Sequence, residues 1–85
     1  MALKTIMLRR SIEKKQAELE ALRQKDAEFS TREAELETAI NEAETADQEQ
    51  AVTEEVETFD ADKTAHEAKK AALAGEILSL IHISE

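Results

Sequence analysis

Apolar side chains recur along this chain in steps of four and three. Starting at Leu8, the steps land on Leu8, Ile12, Lys15, Leu19, Leu22, Asp26, Phe29, Glu33, Leu36, Ile40, Ala43 and Asp47, and eight of these 12 positions are apolar. A seam sustained beyond four heptads is the a/d pattern of a coiled coil. A straight helix drifts by about 20° per heptad against a 3.5 repeat, so a lone surface helix rarely keeps this period for so long. The same stepping restarts at Val52 and gives Val56, Phe59, Lys63, His66, Lys70, Leu73, Ile77 and Leu80. Lys15, Asp26 and Glu33 interrupt the first seam, and isolated polar a/d residues of that kind fix register or partner choice. Beside the polar middle of the second seam, Ala61, Ala65, Ala68 and Ala72 repeat at the same spacing. The expectation is that the second seam rotates onto this alanine face mid-helix, although alanine is also simply the best helix former.

The two seams do not share a register. The break falls in NEAETADQEQA, residues 41–51, which lacks a large apolar side chain. A helix that is polar all round is poorly supported. This predicts a basic-to-acidic heptad helix over 1–44, an acidic turn or register break over 45–52, and a second helix over 53–77. Thr45 and Thr53 are the N-cap candidates, each followed by acidic residues suited to a helix N-terminus. With no Gly or Pro at the break, one continuous helix with a shifted register is the alternative to a helical hairpin. Ser30 and Glu33 match capping-box spacing, but the seam runs through them unbroken and marks a helix interior. The fold class is all-α: long heptad helices forming a helical hairpin or an extended coiled coil.

Composition supports this reading. The 85 residues include two aromatics (Phe29 and Phe59), one glycine (Gly75) and no Pro, Cys, Trp or Tyr. So few large apolar groups cannot fill a globular core at this length, and nothing before Gly75 forces the backbone out of a helix. No cysteine means no disulfide framework and no thiolate metal site. The N-terminus is apolar before it is basic, the reverse of a secretory signal. The run from 77 to 83 is too short to span a bilayer. Charge is polarised: residues 1–25 carry +4, residues 26–62 carry −13, and residues 63–85 balance, for a net −9. This points to end-to-middle or chain-to-chain pairing, or to a solvated helix surface. It argues against nucleic acid as the main partner.

Chemistry-bearing constellations are absent from the pattern. His66 and His82 are 16 residues apart, so they do not share a helical metal-binding motif. Asp62 and His66 share a helix face and read as a solvated ion pair. No Gly-rich loop offers a phosphate cradle, and the acidic stretch lacks the central Gly of a calcium loop. The basic start, LKTIMLRRSIEKK, lacks the aromatics of an interfacial membrane helix, and its apolar positions continue the seam. The expected chain is not an enzyme, has no cofactor, no metal, no small-molecule substrate and no membrane or direct nucleic-acid partner.

The order of a basic heptad helix (LKTIMLRRSIEKKQAELEALRQK), an acidic stretch and then TEEVETFDADKTAHEAKKAALAGEI resembles the N-terminal region of tailed-bacteriophage major capsid proteins of the Hong Kong ninety-seven-type fold. In that family a helical extension, the delta domain, precedes the shell domain, acts as a built-in scaffold in procapsid assembly and is often removed by a prohead protease. Its most specific stretch here is 53–59, where a Thr, acidic residues and Phe59-Asp60 stand where relatives open their second helix. The resemblance covers residues 1–77; the shell domain is missing. It implies a scaffolding segment in a procapsid of the bacterial host cytoplasm, self-associating or pairing with other capsid subunits. The interface residues would be Leu8, Ile12, Leu19, Leu22, Phe29, Leu36 and Ile40 on the first helix, and Val56, Phe59 and Leu73 on the second. The last eight residues, LSLIHISE, break from the acidic, alanine-rich style before them. They are the in-frame translation of CTGTCTCTTATACACATCTCCGAG, the read-through of a transposase-based sequencing adapter. This predicts a foreign tail at 78–85 and a natural frame that departs after Ile77. The rival readings are a stand-alone phage or bacterial coiled-coil scaffold or adaptor, and a regulator whose acidic stretch mimics nucleic acid.

Overall fold

A computed structural model describes residues 3–84. Two α-helices, α1 (Leu3–Glu42) and α2 (Ala46–Ser84), fold back on each other as a hairpin. The result is a rod with extents of 68 × 16 × 14 Å. Among the described residues there is no strand. The hairpin excludes the single continuous helix.

Residues 43–45 make the turn, at the start of the polar stretch rather than across it. The reason is local. Thr45 Oγ1 accepts from the Gln48 N–H at 3.1 Å. In return Gln48 Oε1 accepts from the N–H groups of Thr45 and Glu44, at 3.2 and 2.9 Å. This is a reciprocal capping box, which satisfies orphan donors at the helix start. Asp47 and Glu49 then place negative charge in the first turn of α2, where the helix dipole favours it. With its N-terminus sealed in this way, 46–51 is helical despite having no apolar face. Thr53 is therefore in the helix interior, its hydroxyl donating to the Glu49 carbonyl at 2.8 Å. The second helix thus opens seven residues before the expected start at Thr53.

The two helices meet along one line. On α2 the half-buried or buried positions include Val52, Val56, Phe59, Lys63, His66, Lys70, Leu73, Ile77 and Leu80. Ala61, Ala65, Ala68 and Ala72 are exposed. The expected rotation onto the alanine face does not occur. Lys63, His66 and Lys70 hold the seam because each finds an acidic partner across it, and lysine stems can lie along apolar surface while their heads reach water. Burial is sparse even so. Among the described residues the buried large apolar side chains are Leu19, Phe59 and Ile77, and none is fully covered.

Candidate helix–helix interaction site

The inner faces of α1 and α2 form the one candidate site that the sequence reading named. Leu19 and Phe59 are buried, and Leu8, Ile12, Leu22, Phe29, Leu36, Val56 and Leu73 are half-buried. Ile40 is the exception, at 53% exposed. Toward the turn the inward line on α1 slips by one residue. Arg32 and Ala39 are half-buried where the stepping placed Glu33 and Ile40, while Leu36 and Ala43 keep their places. A straight helix drifts against a 3.5 repeat, and Arg32 has a reason to turn inward.

That reason is an aromatic cluster. Phe29 and Phe59 face each other across the seam with ring centroids 6.0 Å apart and planes at 51°. The Arg32 guanidinium lies 5.5 Å from the Phe29 centroid and 5.2 Å from that of Phe59. Guanidinium over an aromatic face is attractive. Arg32 also reaches the Asp62 carboxylate at 3.3 Å. Asp62 therefore pairs with Arg32 on the opposite helix and not with His66, contrary to the expected same-face pair.

His66 is instead the centre of a polar inset. Only 6% exposed, it is the one buried polar side chain among the described residues. Its ring stacks on Phe29, centroids 4.6 Å apart at 25°. Its Nε2 lies 2.7 Å from Asp26 Oδ1. A carboxylate can only accept, so Nε2 carries the hydrogen and donates. Lys70 donates to both Asp26 oxygens, at 2.9 and 2.8 Å. The hydrogen bond from Lys70, followed by that from His66, holds the Asp26 carboxyl below its ordinary value of 3.8. The same Asp26 contact raises Lys70 above 10.5. Nearer the open end, Lys15 reaches Glu76 at 2.9 Å, and that hydrogen bond raises Lys15 above 10.5. Lys63 lies 3.7 Å from Glu33.

The sequence pattern marked Asp26, His66 and Lys70 as polar seam positions but did not join them. The usable signal was charge: an acid on one seam and a His and a Lys four residues apart on the other, aligned once the hairpin closes. Chemically the arrangement binds helix to helix. Among the described residues no group of three or more His, Cys, Asp or Glu could hold a metal ion, and no helix is long and apolar enough to cross a membrane. No family model, no curated protein and no solved structure matches the chain.

Proposed function

We propose that this chain is the N-terminal coiled-coil scaffolding segment of a tailed-phage major capsid protein, guiding procapsid assembly through helix–helix contacts. The observation that carries the reading is the make-up of the seam. A 68 Å rod is closed, among the described residues, by three buried apolar side chains and a line of half-buried ones, with an ion-paired inset at its middle. Half-exposed ion pairs contribute little stability each, so contacts of this kind hold helices in register without locking them. That suits a scaffold which must pair during assembly and then leave. The capsid-like stretch supports the reading further, because its Phe59 is the best-covered apolar side chain of the hairpin. Phe59 faces Phe29 and Arg32; Leu19, Leu22 and Leu73 extend the same seam.

On this reading the natural frame departs from residues 78–85 after Ile77, and the shell domain follows further on in the gene. The test is to resequence independently prepared source DNA across codon 77. The expected frame continues into acidic heptad helix and then a long strand-rich domain. A stop codon directly after Glu85 overturns the capsid reading. The second reading, a stand-alone coiled-coil scaffold or adaptor, draws on the hairpin closing its seam within one chain, and that stop codon would favour it.

A further inference from the structure

Ion pairs form across the seam, but folding leaves the two ends of the rod oppositely charged. Residues 4–15, at the open end of the rod, carry five basic side chains and one acidic; residues 33–60, around the turn, carry eleven acidic and no basic. At 1.5 Å per helical residue the centres of the two zones lie about 45 Å apart. The basic end of α1 meets α2 where Glu76 supplies one partner, through Lys15. Pairing the basic end with the acidic turn therefore needs another molecule.

The surface area agrees. The hairpin exposes 6565 Å², whereas a compact monomer of its mass, 9.5 kDa, exposes about 5,000 Å². The excess of about 1,500 Å² is roughly twice the ~800 Å² per partner that a stable interface covers. One face also offers a place to pack. Midway along the rod, Ala21 and Leu22 of α1 and Ala72 and Leu73 of α2 line an apolar hollow between the helices, rimmed by Glu18 and Lys69. Ala21 and Ala72 are exposed, so a neighbouring backbone can come close.

We infer that this face is covered by a second copy of the same chain, laid antiparallel, with the two-fold axis passing near the hollow. The inference rests on the scaffold reading above and specifies its partner and geometry. A two-fold axis lying in the shared face and across the rods sets α1 over α1 of the other copy. With Ala21 near the axis, Lys14 of each copy lies by Glu28 of the other, Glu18 by Lys25, and Arg10 within a turn of Glu35, beside an Arg32 that is already held by Asp62. A parallel pair sets basic end on basic end and one acidic turn on the other. A head-to-tail chain uses the rod ends alone and leaves the hollow open.

Sedimentation equilibrium of the full chain tests this. At about 50 mM salt the expected species is a dimer, with Kd rising at least ~10-fold at about 1 M salt, where charges are screened beyond roughly 3 Å. Ala72→Glu adds a good helix former at an exposed site, so helicity in the dilute monomer is retained while Kd rises at least ~100-fold by burying two unpaired carboxylates. The chain has no cysteine, which allows single-cysteine oxidation to read the orientation. Ala21→Cys links to itself. Met7→Cys links to Glu35→Cys in a mixture and not to itself. A monomer at every concentration, a dimer indifferent to Ala72→Glu, or Met7→Cys linking to itself overturns the inference. None of these outcomes bears on whether a shell domain follows in the gene, which the DNA test decides separately.

Discussion

Replacing Phe59 with Ala should remove more stability than any other single truncation in the hairpin. Phe59 is 4% exposed, and its ring meets Phe29 at 6.0 Å and the cations of Arg32 and Lys63 at 5.2 and 5.9 Å. A buried Phe→Ala change costs about 3–5 kcal/mol. The lower end applies here, because a rod two helices thick lets water or a neighbouring side chain fill part of the gap. At about 3 kcal/mol, and at roughly 4–8 °C per kcal/mol for a chain of this length, the melting temperature falls by about 12–24 °C. Circular dichroism at 222 nm, followed through urea and thermal melts at fixed protein concentration, measures this. A double-mutant cycle with Phe29→Ala should return a coupling of roughly 0.5–1.5 kcal/mol from the ring pair. If Phe59→Ala costs under about 1 kcal/mol, Phe59 is not buried in solution and the register of the seam is wrong.

The other predictions separate seam, cap, backbone and charge. Leu19→Ala with Leu22→Ala should cost about 4 kcal/mol, whereas Glu18→Gln with Glu20→Gln should change stability by well under about 1 kcal/mol; equal urea midpoints for the two pairs would refute the heptad register. Thr45→Ala removes the oxygen that accepts from Gln48 and should cost about 1 kcal/mol, with amide exchange quickening over 46–51. Gly75→Ala places a Cβ where nothing lies within 4 Å and should stabilise the helix by about 1 kcal/mol; a loss of stability would show an unseen close approach there. For pH, Asp26 is lowered from 3.8, so its contribution is complete above that value and is lost as pH falls through the lowered one. Lys15 and Lys70 are raised from 10.5, so theirs is complete below 10.5 and is lost as pH rises through the raised values. The urea-midpoint difference between wild type and Asp26→Asn should thus shrink as pH falls below 3.8; a difference that keeps growing below that value would refute the assignment.

Helix class and the line of contact were legible because both depend on spacing. Lys63, His66 and Lys70 sit inward where the four-three stepping placed them, even though none is apolar. The alanine spacing marks no contact face: Ala61, Ala65, Ala68 and Ala72 are exposed helix formers, while the cations beside them have acids to meet across the seam. The turn was less legible for a different reason. Lack of apolar residues in 41–51 says that a helix there gains nothing from packing, but a capping box supplies hydrogen bonds independent of packing. Thr45 and Gln48 carried that signal three residues apart. Arg32 could not be foreseen from α1 alone. Its inward turn depends on Phe59 and Asp62, 27 and 30 residues away along the chain and adjacent only after the hairpin closes.

The polar inset then explains how so thin a seam can choose one register. Sliding α1 by a heptad toward the turn would carry Leu19 and Leu22 from Ile77 and Leu73 to Lys70 and His66, while Phe29 would still have Phe59 beside it. It would not keep Asp26 between His66 and Lys70. A slip of seven residues moves that carboxylate about 10 Å along the helix, strands a buried histidine without its acceptor, and takes Phe29 off the imidazole ring. An unpaired polar group in a covered site costs more than a hydrogen bond returns. The inset therefore adds little to the depth of the native well but raises the competing registers. That division of labour, weak apolar closure with polar selection, gives helices that find one alignment and still part readily.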